Sequence, residues 1–338
     1  MKRTFTFCTY HRLSLLIITT LLHACQPKEN VTSINPLPSG TNGSTPITTT
    51  ISGIDISNRR TVVEAYGQEF SNALPLIGWI GAIGNCQEGG SSKAFINAQL
   101  SRVNYFRAMA GIAGKVIYID SLNRKAQKAA LIMAKANALN HNPLSTWECY
   151  TKEGAQAAGK SNLAINFGSN PDFISQYIAD FGVSNSAVGH RRWILSPRTL
   201  IMGTGNVHNQ STNYAYNALW VISDNYFQLL RNKTREEFIA WPAPGYIPYQ
   251  LVYPRWSFQF DGADFSQVQI KVMHNSAVLT PKIVSNQDNG YGDNAVVWEM
   301  EMIQQPSTDL AYEVTVQNVK INNQLRSFMY KVVVIDPK

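Results

Sequence analysis

Three short stretches decide the fold of this chain. They are Asn140–Pro143 (NHNP), Ser161–Ala164 (SNLA) and Val188–Leu195 (VGHRRWIL). The first and the third each carry one histidine, and 49 residues separate His141 from His190. Neutral imidazoles are common metal ligands and proton acceptors, so two of them on one surface would form a site able to bind a metal ion or to accept a proton. The apolar run after His190 must enter a core, which predicts that this histidine lies where a buried helix meets the surface.

The order of these motifs resembles the CAP superfamily, also called SCP for sperm-coating or cysteine-rich secretory proteins. The resemblance is closest to the bacterial lipoprotein branch and covers roughly residues 55 to 245. It implies an α+β fold, in which a three-layer α-β-α sandwich brings the two histidines to one cleft. Judged from the residues alone, either histidine is more often a hydrogen-bonded structural group at a helix end.

The resemblance also implies two glutamates in that cleft, and the chain departs from this pattern. One family glutamate belongs to a Gly-Glu-Asn-x-Ala segment. Aligning Asn162 and Ala164 with that segment places Ser161 where the glutamate should be.

The second family glutamate lies on the helix that precedes the Gly-His motif. Residues 171–181 contain no glutamate here, and Asp180 is the nearest substitute, ahead of Asp172 and Gln176. The resemblance therefore implies a cleft that is lined by His141, Ser161, Asp180 and His190 and that lacks the two glutamates of the family.

This constellation favours binding over turnover. Metal-assisted hydrolysis needs ligands and a base for the attacking water, and two histidines without a carboxylate supply a weak site. We expect His141 and His190 to hold at most a weakly bound divalent metal such as zinc. The expected role is a binding or scaffold module for a lipid, a glycan or a protein. The alternative is a degenerate, peptidase-like metal-dependent hydrolase that uses the same cleft. The sequence has no nucleophile elbow, His-Glu-x-x-His motif or Walker loop.

The N-terminus predicts export. A basic start and a short apolar run over residues 13–22 are typical of a secretory signal. The run ends in Leu22-His23-Ala24-Cys25, which resembles a lipobox. The prediction is a signal peptide over residues 1–24 and a lipid, including palmitate, on Cys25. The protein would then sit in the cell envelope, in the outer membrane if the cell is Gram-negative. The alternative is ordinary cleavage near Ala24 and a soluble secreted protein.

Residues 25–53 are rich in Pro, Ser, Thr, Asn and Gly, a composition that cannot bury enough surface to fold. We interpret them as a flexible tether. Removal of residues 1–24 takes away Lys2, Arg3 and Arg12, so the formal charge falls from +7 to +4. The remaining charges form no basic run, which argues against a nucleic-acid partner.

Cys8 would leave with the signal peptide and Cys25 would carry the lipid, so Cys86 and Cys149 remain as a pair. An even pair in an oxidising compartment predicts a disulfide. The alternative is two buried free thiols.

The rest of the chain divides by pattern into residues 54–245 and 246–338. In the first part, Ser92 and Ser121 are predicted N-caps of two helices, the first ending at Gly111. A third helix is predicted to follow Asn170-Pro171 and to end at Gly182. Gly203-Thr204-Gly205 is interpreted as a turn at a strand end.

Residues 246–338 alternate apolar and polar positions in several short segments. Asp261-Gly262 and Asn289-Gly290 punctuate them as turns. The pattern predicts a small all-β sandwich of immunoglobulin-like architecture, with Trp256 and Trp298 in its core.

Overall fold

The computed structural model describes residues 54–224, 226–287 and 290–338. The predicted signal peptide, Cys25 and the tether lie outside these residues. All described residues belong to one compact unit. None of the helices in these ranges combines the length and the apolar character needed to cross a membrane.

The described residues form six α-helices. Their bounds are α1 Arg59–Glu69, α2 Lys93–Met109, α3 Asp120–Ala136, α4 Lys152–Lys160, α5 Phe173–Ala179 and α6 Gly189–Ile194.

Capping explains where helix α2 begins and ends. The Ser92 hydroxyl accepts a hydrogen bond from the backbone N–H of Phe95, and Gly111 adopts a positive φ of 76° just beyond the last turn. The predicted cap and stop of this helix are confirmed.

The predicted starts of helices α3 and α5 were each wrong by two residues. Helix α3 begins at Asp120 after Ile119, so Ser121 lies inside the helix. Helix α5 begins at Phe173 because the Asp172 side chain, and not Asn170, accepts the capping hydrogen bond from Ser175. It ends at Ala179, ahead of Gly182, because Asp180 turns the backbone into the left-handed region.

The strands of the described residues number fifteen. The first six, in the helical part, are β1 Ile80–Ala82, β2 Gln87–Gly90, β3 Ile117–Tyr118, β4 Ser161–Phe167, β5 Ile201–Asn209 and β6 Tyr214–Trp220. The others are β7 Ile239–Trp241, β8 Gly245–Pro248, β9 Arg255–Phe260, β10 Gln269–His274, β11 Ala277–Leu279, β12 Lys282–Ser285, β13 Asn294–Glu299, β14 Leu310–Ile321 and β15 Gln324–Ile335.

The central sheet has the order β3-β5-β6-β4, with β3 parallel to β5 and the other pairs antiparallel. Both of its faces are apolar, because neighbouring residues such as Leu163 and Ala164 enter different hydrophobic clusters. Helices α3 and α4 cover one face. Helix α5 packs against the other face and also contacts α2 and α6. This is the α-β-α arrangement expected for the first part.

Gly203 and Gly205 lie inside strand β5, so their interpretation as a turn was wrong. These positions require a residue without a side chain because helix α3 crosses the strand at close range. A Cβ on Gly205 would lie 2.2 Å from the backbone of Ala126 and Gln127. Glycine here permits close packing of a helix on a sheet and does not interrupt the strand.

The β-rich part forms two sheets that face each other. One has the order β11-β10-β14-β15-β8 and the other β12-β13-β9-β7. Trp256 and Trp298 are fully buried between them, as predicted. The first strand of this region, Ile239–Trp241, starts ahead of residue 246, and its Trp241 ring contacts Phe106 of α2 at 5.3 Å. One hydrophobic core therefore runs from the helical part into the β-sheets.

Cys86 and Cys149 form the predicted disulfide, with 5.1 Å between their Cα atoms. It joins the β1–β2 hairpin to the end of the segment that carries His141, between α3 and α4.

Candidate functional site

His141, Ser161 and His190 line one cleft of about 370 Å³. The three residues come from three different elements. His141 lies in the segment between α3 and α4, Ser161 opens strand β4, and His190 is the second residue of α6. The fold thus brings together residues that the sequence keeps far apart.

His141 is exposed, and its ring is oriented by the end of helix α4. Its Nδ1 lies 2.9 Å from the carbonyl oxygen of Ala158. A carbonyl can only accept, so Nδ1 carries the proton and Nε2 keeps its lone pair. The segment itself starts at Asn137, whose side chain accepts a hydrogen bond from the Tyr216 hydroxyl of β6.

His190 is oriented in the same way by a carboxylate. Its Nδ1 lies 2.7 Å from Oδ1 of Asp180, which leaves Nε2 of the neutral ring without a proton. The other oxygen, Oδ2, accepts the backbone N–H groups of His190 at 2.9 Å and Arg191 at 3.3 Å. Asp180 therefore fixes both the first turn of α6 and the tautomer of its histidine.

The carboxylate of Asp180 is fully buried behind His190. It stands near the position expected for the second family glutamate, but it supports the histidine and does not face the cleft beside it. The left-handed backbone conformation at Asp180 (φ 53°) turns its side chain inward. A general base at this position would need access to water, which full burial denies.

Among the described residues, the guanidinium of Arg191, which follows His190, forms no ion pair with Asp180 or Glu153. Arg191 donates to the carbonyl of Ile178 at 2.6 Å and to the Ser257 hydroxyl of β9 at 3.0 Å. Burial lowers the pKa of Arg191 to about 10, and the negative charge of Asp180 opposes that shift. Glu153 pairs with Lys128 instead.

Ser161 forms part of the cleft floor. It is 4 % exposed, and its Oγ has no hydrogen-bond partner among the described residues. The next residue, Asn162, donates from Nδ2 to the carbonyl of His190 at 3.0 Å and so ties α6 to β4. A buried hydroxyl without a partner is costly unless a bound molecule or water satisfies it.

A second depression of about 400 Å³ adjoins the first and shares both histidines with it. Its remaining wall is more apolar and includes Leu139, Leu163 and Phe181. Asp180 contributes to this wall, although its carboxylate has no exposed surface. His141 and His190 thus stand between two concave surfaces of different character.

The cleft has one wall that the sequence did not predict. Gly290 and Tyr291, which precede strand β13, line it together with Gly189 and Trp193 of α6. Tyr291 lies about 100 residues from His190 along the chain, and no local pattern marks it as a site residue. A long-range contact of this kind has no signal in a single sequence.

The donor set of the cleft matches only part of a zinc site. Structural zinc sites use four protein ligands and catalytic sites use three. Two imidazole Nε2 atoms with fixed tautomers supply two ligands of the right chemistry. In the described ranges, no three His, Cys, Asp or Glu side chains converge into a metal-binding group. Water would have to complete the coordination, which makes a tightly held metal a poor fit.

The comparison with known families agrees with this architecture. The profile of the cysteine-rich secretory protein family, CAP, matches residues 100–226, from the middle of α2 to just beyond β6. The matched region includes His141, Ser161, Asp180 and His190. A search of the curated proteins found no match to the chain. The chain therefore contains a CAP domain of the cysteine-rich secretory protein family.

Proposed function

We propose that this is a lipid-anchored protein of the cell envelope whose two-histidine cleft binds a ligand without turning it over. The observation that carries the binding role is the position of Asp180. Its carboxylate bonds to His190 and to the backbone of α6, so it is not available as a third metal ligand, and the described cleft lining offers no other carboxylate to complete a hydrolytic metal centre. The histidines remain as oriented acceptors.

The size and make-up of the cleft support a small-molecule or oligomeric ligand. Pockets that bind such ligands are typically a few hundred Å³ and combine apolar walls with a few fixed polar groups. The His141 and His190 rings, the Asn185 side chain and the Trp193 ring provide both kinds of surface within about 370 Å³.

Zinc tests whether the two histidines act on one ligand. We expect the wild-type protein to bind one zinc ion weakly through both Nε2 atoms, and His141→Ala or His190→Ala to abolish that binding. His141→Ala should cost little stability, whereas His190→Ala also takes a partner from the buried Asp180 carboxylate and should cost more while still folding. Isothermal titration calorimetry with zinc chloride measures the uptake. His274→Ala is the matched control, since that ring lies on strand β10 outside the cleft. Equal uptake by the wild type and both cleft variants would refute a shared site.

The anchor is tested separately. We expect Cys25→Ser to abolish incorporation of a labelled fatty acid and to release the protein from membranes, because the thiol is the only attachment point of the predicted lipobox. Metabolic labelling and membrane fractionation measure both effects, with Cys8→Ser as control. A variant that stays membrane-bound, with no label in the wild type, would contradict lipid anchoring.

A further inference from the structure

The cleft lining is polar and aromatic but carries no permanent charge. None of its described residues is Asp, Glu, Lys or Arg, and each histidine directs Nδ1 to a fixed acceptor, the Ala158 carbonyl or the Asp180 carboxylate. Zinc can replace its lost hydration by coordination to the imidazoles, but an organic ion would lose its hydration here without meeting a side chain of opposite charge, which is unfavourable. The lining therefore favours an uncharged organic ligand.

The same ligand must carry hydrogen-bonding groups. The Ser161 hydroxyl is buried and unpaired at the floor, and an acyl chain over it would leave it unsatisfied. Asn185 and both histidines line the same space. A molecule that bears several hydroxyls can satisfy these groups, whereas a lipid tail cannot.

Tyr291 adds an aromatic ring to the lining of the same cleft. Its ring packs on Gly189 so closely that a Cβ there would lie 3.0 Å from the ring, and the buried guanidinium of Arg192 lies 5.5 Å from the ring centroid. Arg192 in turn donates to the carbonyl of Asp293 at 2.8 Å. The tyrosine is thus held in place while 39 % of it stays exposed.

We infer that the cleft binds a neutral glycan and that Tyr291 stacks on one of its sugar rings. The inference rests on the proposed function, because it names the ligand class of the same cleft. A pyranose has one face of C–H groups, which pack on an aromatic ring, and a rim of hydroxyls, which bond to polar side chains. The β-sheet region contributes this ring, so the CAP domain shares its cleft with the part of the chain that follows it.

The test uses the full chain on an array of oligosaccharides. The neutral probes are oligomers of glucose, mannose and N-acetylglucosamine, and the acidic probes carry uronic or sialic acid. We expect binding to neutral probes only. The strongest neutral probe is then titrated against Tyr291→Ala, Tyr291→Phe and Tyr214→Ala. Tyr214 is the matched control, since it is 42 % exposed and lies on β6 outside the cleft.

Tyr291→Ala should weaken binding about tenfold or more, Tyr291→Phe should stay within about threefold, and Tyr214→Ala should match the wild type. Binding to acidic probes only, no binding to any neutral probe, or unchanged affinity in Tyr291→Ala would overturn the inference. These outcomes are separable from a failure of the proposed function. If the protein takes up zinc through its histidines but binds no neutral glycan, the glycan inference is refuted and the shared histidine site is not. If neither histidine variant alters zinc uptake, the shared site itself is refuted.

Discussion

Replacing Asp180 with alanine is expected to lower the free energy of unfolding by about 3–5 kcal/mol. The substitution removes a fully buried carboxylate that accepts hydrogen bonds from the His190 ring and from two backbone N–H groups of α6. It also leaves the guanidinium of Arg191 buried without the negative charge that favours its protonated form. Urea denaturation followed by circular dichroism measures the loss.

Asp224→Ala is the control for this experiment. That carboxylate is 77 % exposed and pairs with Lys160 at the surface, so its removal should leave the stability nearly unchanged. If Asp180→Ala were no more damaging than Asp224→Ala, the role assigned to the buried carboxylate would be wrong.

Asp180→Asn distinguishes the effect of Asp180 on the orientation of the His190 ring from its effect on the stability of the protein. The amide still accepts a backbone N–H, but its NH₂ group can face Nδ1 only if the histidine moves its proton to Nε2. The variant should fold and lose about tenfold or more of its zinc affinity, because the partner of Nδ1 decides whether Nε2 is free to bind the metal. The same titration that is applied to the histidine variants measures this loss.

Gly205→Ala is expected to destabilise the protein by about 3 kcal/mol, because the added Cβ would lie 2.2 Å from the backbone of helix α3. The helix would have to move away from strand β5. Gln127 of that helix both donates to and accepts from the backbone of Asn206, and these two bonds of 2.9 Å would stretch with it. Thermal unfolding of the purified variant measures the cost.

Gly67→Ala provides the matched comparison for that substitution. Gly67 lies inside helix α1 and has nothing within 4 Å of the position of a Cβ. Alanine should therefore stabilise the helix by about 0.5–1 kcal/mol. If the same added methyl group lowers the stability of Gly205→Ala and raises that of Gly67→Ala, the close approach of helix α3 decides the effect on stability. Equal effects would contradict it.

Local signals predicted the elements that depend on neighbours in the chain. Helix α2 has a serine cap and a glycine stop within its own sequence, and both were recognised. The interpretation of the β5 glycines as a turn was wrong because their role depends on a helix about 80 residues away in the chain. Glycine in isolation indicates a turn more often than a helix–strand contact.

The site was predictable only in part, for the same reason. The family resemblance placed His141, Ser161 and His190 in one group, and all three line one cleft. It also marked Asp180, yet the residue type could not tell whether the carboxylate would face the cleft or support His190 from behind. The backbone conformation after α5 decides that, and Tyr291 enters from a separate sheet region.

The central claim is that two oriented imidazoles present Nε2 to one ligand. Long-range ¹H–¹⁵N NMR of ¹⁵N-histidine-labelled protein tests it most directly, at a pH of about 8 where imidazoles are ordinarily neutral. We expect His141 and His190 to show the Nδ1–H tautomer, and zinc to shift both Nε2 resonances along one binding curve. An Nε2–H tautomer at either residue, or zinc shifts that follow two different curves, would contradict the account.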